Sequence, residues 1–188
     1  TKNQISLKAK IHLSFYETNP YLIDKCLQYK CDYGVTLIEY AAFYGSDQIF
    51  RFLKDEGVEL TPSLWCDVIH GNNPELIHLL EDYNIEPTVT IVKKNQKVEE
   101  KSFIGCFKES IKCHHNDISN YIINKYLQKE DENSYEIFLQ SLEYYNFQFI
   151  QKAHINESSF CQLCYYDYYL LIKVLLTDND VDINSKAI

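Results

Sequence analysis

A chain of 188 residues with 46% hydrophobic and 24% charged side chains has the make-up of a folded protein able to bury a large core, which excludes overall disorder. A formal net charge of −9 disfavours nucleic acid as a partner, because binding phosphate backbones needs clustered Lys and Arg to release counterions. No apolar run approaches the roughly 20 residues that cross a bilayer, and five Gly with four Pro suit short helices joined by compact turns better than a hairpin-rich sandwich.

In chain order, Thr1-Lys2-Asn3-Gln4 carries neither an initiator Met nor a long apolar stretch, so the sequence reads as a fragment of a longer protein. A weak helical pair fits Tyr21 to Tyr29. From Ile38 to Ala42 the apolar residues recur at helical intervals, and the small Ala41 and Ala42 allow a neighbouring helix to approach closely. Gly45 breaks that run. Ile49, Phe52 and Leu53 then form one face of a second short helix, and Gly57 fits the position just past its end.

The pattern repeats. A shift of 26 residues places Leu64 on Ile38, Val68 on Ala42 and Gly71 on Gly45, with Thr61 as N-cap and Pro62 as first helical residue. One extra residue in Asn72-Asn73-Pro74 then brings Leu76, Leu79 and Leu80 onto Ile49, Phe52 and Leu53. Thr88-Val89-Thr90-Ile91-Val92 alternates and is β-branched, which predicts one arm of a short finger within 86–101; the basic Lys93-Lys94-Asn95-Gln96-Lys97 beside it reads as a solvated loop. A shift of 69 sets Ile111 on Ala42, His114 in the turn, and Ile118, Tyr121 and Ile122 on the second helix. A weaker pair fits Tyr135 to Ala153, and a shift of 122 aligns Cys164, Leu171, Val174 and Leu175 before Val181-Asp182-Ile183-Asn184. The count is about six helix pairs, each too small to bury its own apolar face and so in need of neighbours.

Asp32, Gly34, Thr36, Ile38, Ala41, Ala42, Gly45, Phe52, Leu53 and Gly57 resemble one complete ankyrin repeat, with Leu37 where Pro is usual and Glu39 where His is usual. The series I-E-Y-A-A-F-Y-G, L-T-P-S-L-W, I-H-G-N-N-P-E-L-I-H-L-L-E and S-I-K-C-H-H-N-D-I is similar to a divergent ankyrin-like domain of unknown function that is expanded in some protozoan proteins. This resemblance implies an all-α fold, an α-solenoid of stacked antiparallel helix pairs forming a single domain over residues 1–188. Val181-Asp182-Ile183-Asn184 resembles the tail of a repeat, which implies that further repeats follow.

Catalytic and metal chemistry find little purchase. Seven cysteines at irregular spacing argue for reduced thiols in the cytoplasm over a disulfide framework. Cys161-Gln162-Leu163-Cys164 has zinc spacing without a second ligand pair, so Cys164 reads as the small buried counterpart of Ala42, and zinc binding stays a minor alternative. Cys113-His114-His115 lacks an oxyanion partner, and Glu39, Asp67 and Glu109 fall on different repeats at surface-type positions. No phosphate-cradling glycine motif is present. The sequence therefore reads as a non-enzyme with no cofactor.

What remains is a surface. In ankyrin-like stacks the first helices and loop tips line a concave face, which implies an outward stripe of Tyr40, Phe43 and Tyr44, then Trp65, Ile69 and His70, then Lys112, then Tyr165 and Tyr166. Aromatic residues at such positions suit a protein partner. The expected function is a monomeric, non-catalytic protein-interaction scaffold; the alternative is a structural spacer or cap for more regular repeats downstream.

Overall fold

A computed structural model describes residues 6–28, 34–93, 96–127, 133–150 and 157–177, which are predominantly helical. Val181-Asp182-Ile183-Asn184 lies outside the described residues. No helix among the described residues is long and apolar enough to cross a membrane. The chain divides into two compact units, Thr1–Cys106 and Phe107–Ile188.

In the first unit β1 (Lys10–Ile11) pairs antiparallel with β2 (Val35–Thr36), joining the two ends of the segment that carries α1 (Pro20–Gln28). Asn19 caps α1 by accepting the amides of Tyr21 and Leu22 at 3.0 and 3.4 Å, and Pro20 occupies the first helical position, where no amide proton is needed. Two helix pairs follow, α2 (Leu37–Phe43) with α3 (Asp47–Asp55), then α4 (Leu64–His70) with α5 (Pro74–Asp82). The first helices α2 and α4 lie side by side. A hairpin of β3 (Thr88–Lys93) and β4 (Gln96–Lys101) comes next, in register from Thr88 opposite Lys101 to Lys93 opposite Gln96, and it supplies the expected finger. Trp65, Phe50, Leu64, Ile69, Leu76, Ile77 and Leu80 are fully buried, and the Trp65 indole donates to the Ile85 carbonyl at 2.8 Å.

Among the described residues the second unit holds three pairs. They are α6 (Ile104–Lys112), which begins at the junction, with α7 (Asn116–Ile122); α8 (Asn133–Glu143) with α9 (Phe147–Ile150); and α10 (Glu157–Tyr165) with α11 (Tyr169–Thr177). One π-helical segment, Ile123–Leu127, extends α7. Phe138, Leu142, Ile150, Leu163 and Tyr168 form a core against which Leu171 and Ile172 of α11 pack, and α8 touches α10 as α2 touches α4.

The five pairs share one turn. Gly45, Asn72, His114, Tyr145 and Asp167 all have left-handed φ between 47 and 63°, and each donates its amide to the residue three positions earlier, at 3.0 to 3.2 Å. Only Gly adopts this conformation without steric penalty, so four non-glycine residues here mark a turn that the surrounding helices impose. An asparagine next to the turn ties it to the preceding pair: Asn73 donates to the Gly45 carbonyl at 3.1 Å, and Asn146 donates to the Ile111 carbonyl at 3.2 Å and to Asn116 Oδ1 at 2.7 Å. Around Gly71 the backbones approach so closely that a Cβ would overlap the Ala42 carbonyl oxygen.

This turn corrects the repeat register. Asn72, not Gly71, is the counterpart of Gly45, so the shift between the first two pairs is 27 residues throughout and no residue is inserted after Gly71. Ile69 therefore replaces Val68 as the counterpart of Ala42, and Trp65 matches the buried Ile38 instead of Glu39. The start of α4 differs as well. Thr61 and Pro62 form a turn whose carbonyls accept the Leu64 and Trp65 amides, and the helix begins at Leu64. On α3 the buried face is Phe50 and Leu53, whereas Ile49 and Phe52 stay more than half exposed. Among the described residues Tyr21 lies on a single helix that runs to Gln28, and Tyr29 lies outside them.

Candidate interaction face

The outward side of α2 and α4 is built around three ionisable groups. Thr36 caps α2 reciprocally: its amide donates to Glu39 Oε2 at 2.8 Å while the Glu39 amide donates to Thr36 Oγ1 at 3.3 Å. That box fixes the Glu39 carboxylate and leaves Oε1 for the Lys25 ammonium, 3.0 Å away. Lys25, on α1, also reaches both oxygens of Asp67 on α4, at 2.7 and 2.5 Å, and the Tyr21 hydroxyl donates to Asp67 Oδ1 at 3.0 Å. Asp67 is fully buried.

Two carboxylates thus share one ammonium. Burial pushes the Asp67 carboxyl up to about 6 despite Lys25, because the ammonium is divided with Glu39. Glu39 is also disfavoured by burial, but the Lys25 charge and the Thr36 hydrogen bonds outweigh that and hold it below the usual glutamate value. Burial works against the Lys25 charge too, yet the two carboxylates prevail and its pKa rises.

Aromatic rings surround this cluster. Tyr21 stacks on Phe43 at 5.8 Å between centroids and lies 4.1 Å from the His70 ring, which is itself 5.0 Å from Phe43. Tyr40 packs against the Leu22, Val35 and Phe43 cluster and sits 4.8 Å from Tyr44, whose hydroxyl donates to Glu17 at 3.4 Å. Helix α1 and the residues before it therefore lie on the outward positions of α2 and α4.

The expected stripe is rearranged accordingly. Phe43 is buried and His70 half-buried beneath Tyr21, Tyr40 is half-buried, and Tyr44 is 53% exposed. Trp65 and Ile69 leave the stripe, because the 27-residue register turns both into the core. In the second unit Lys112 is exposed, pairs with Glu109 at 3.7 Å and lies 6.0 Å from the Tyr144 ring. Tyr165 is 79% exposed and meets the half-buried Tyr166 edge-on at 4.9 Å. Cys164 keeps the place of Ala42 relative to its turn but is exposed, and Leu163 takes the buried place beside it, so the expected burial of the thiol does not occur.

Sequence reasoning missed Tyr21 and Lys25, and it read Glu39 and Asp67 as separate surface carboxylates. The available signal was the spacing of Tyr21 and Lys25, four residues apart on one helix face, a geometry able to address one partner surface. Comparison of the chain with protein-family models, with curated proteins and with solved structures returns no match.

Proposed function

We propose that this chain is a non-catalytic protein-interaction scaffold, a solenoid of degenerate ankyrin-like helix pairs whose first helices carry the docking face. The observation that carries this reading is that the C-terminal ends of first helices hold aromatic side chains in both units, Tyr40 and the following cap Tyr44 in one and Tyr165 with the next residue Tyr166 in the other. Rigid aromatic side chains give much contact area at low entropic cost. Cys26, Cys66, Cys161 and Cys164 are free thiols, which fits a reducing compartment such as the cytoplasm.

A second reading, a structural spacer that orients neighbouring repeats, draws support from α1, which already covers Phe43 and His70. The two separate in a pull-down from cell extract with the full chain and with a Tyr44→Ala, Tyr165→Ala, Tyr166→Ala variant of equal helicity. A partner lost only from the variant supports the scaffold. Equal recovery from both chains, or no specific capture, supports the spacer.

A further inference from the structure

We infer that α1 is an internal ligand of the α2–α4 face, and that the outside partner docking there is a helix presenting an aromatic residue four positions before a lysine. This rests on the scaffold reading and gives it a partner chemistry.

The face has the features of a receptor for such a helix. Its floor is aromatic, formed by the Phe43 and His70 rings at 32° to each other, and Tyr21 stacks on the first and lies tilted over the second. One helical turn further along, the floor becomes anionic, with Glu39 and Asp67 contributed by two different first helices. Lysine is the occupant that this arrangement demands. A neutral side chain would leave two desolvated carboxylates without a counterion, which is severely unfavourable. Tyr21 and Lys25 meet these two requirements from one helix face, and the Tyr21 hydroxyl completes the set by donating to Asp67.

Helix α1 also has the character of a removable occupant. Among its residues with described burial, Pro20 to Cys26, only Leu22 is buried, whereas α4 buries Leu64, Trp65, Asp67, Val68 and Ile69. A nine-residue helix is marginal by itself, so its order depends on this docking. An ion pair inside the contact adds selectivity more than stability, since desolvation offsets most of the Coulombic gain. A competing helix with the same two anchors meets the same requirements, and it displaces α1 once its concentration exceeds the effective concentration that the tether gives α1.

The test uses the full chain carrying Tyr21→Ala and Lys25→Ala, which vacates the face, and a fluorescent peptide with the sequence of residues 15–28, Cys26 replaced by Ser. In anisotropy titrations the peptide is expected to bind the vacated chain at least about tenfold more tightly than the wild-type chain, a difference that one lost charged anchor readily produces. Adding Asp67→Asn to the chain, or Lys25→Ala to the peptide, is expected to abolish the gain. A vacated chain of wild-type helicity that binds the peptide no better than wild type overturns the proposal. Hydrogen exchange on the wild-type chain gives an independent measure should the variant not fold. Amides of α1 are expected to exchange at least about tenfold faster than those of α2 and α4; equal rates mean that α1 opens only with the whole unit and overturn the exchange. The pull-down variant replaces Tyr44, Tyr165 and Tyr166 and leaves Tyr21, Lys25 and Asp67 intact, so failure of the scaffold reading and failure of this inference are told apart.

Discussion

Lys25 and Asp67, separated by 42 positions in the chain, meet at 2.7 Å with the carboxylate wholly excluded from solvent. Removing the lysine strands both carboxylates. Lys25→Ala is therefore expected to lower the unfolding free energy by about 3–5 kcal/mol, whereas Lys25→Met combined with Asp67→Leu and Glu39→Gln is expected to cost much less. Urea denaturation of both variants checks this, and similar losses for the two would show that charge pairing is not what matters at the site.

The same carboxyl sets a pH dependence. Its folded-state pKa of about 6 lies above the ordinary aspartate value of 3.8, so the folded chain binds this proton more tightly than the unfolded one. Its contribution to stability therefore grows as pH falls from about 7 through 6 towards 4, by up to about 3 kcal/mol. Glu39, held below its usual value, acts with the opposite sign and loses its contribution only at lower pH. Between pH 7 and 5 the wild-type chain is expected to gain stability relative to Asp67→Asn; a constant difference in chemical denaturation across that range contradicts the raised pKa.

Two glycines should respond in opposite directions to alanine. Gly71→Ala drives a methyl group into the Ala42 carbonyl and is expected to cost about 1–3 kcal/mol. Gly105, on α6, faces open space, and Gly105→Ala is expected to stabilise by about 0.5–1 kcal/mol through helix propensity. Thermal denaturation of the two variants reads the contrast directly.

His114 holds a left-handed turn with an exposed imidazole and φ of 57°. His114→Gly is expected to relieve about 1 kcal/mol of backbone strain. A lower melting temperature for the variant would mean that the ring contributes more than its backbone costs.

Much of the local architecture was legible in the sequence. Gly45 and His114 sit in the turns and Gly57 just past the helix end, as expected, all three being left-handed, and the β-branched run from Thr88 forms the arm of a finger. The repeat phase at the second pair was not legible, because Gly71 imitates Gly45 while Asn72 performs its role one residue later. That single offset moved Trp65 and Ile69 from the core to an imagined surface. The Lys25, Glu39 and Asp67 cluster was hidden for a different reason. It joins three helices across long sequence separations, and local periodicity carries no information about such tertiary pairing.

The shared turn also bears on how this chain can vary. From one left-handed residue to the next, at 45, 72, 114, 145 and 167, the interval is irregular, yet the hydrogen bond closing each turn is the same. The turn inside each pair has one length, the first helix ending two residues before the left-handed residue and the second beginning two after it, whereas length is free between pairs, where extra residues cost only a slowly growing closure entropy. Segments such as the one bearing the β3–β4 hairpin are therefore the places where insertions can accumulate during evolution, or where a reporter can be spliced in, with the hairpins on either side keeping their own geometry.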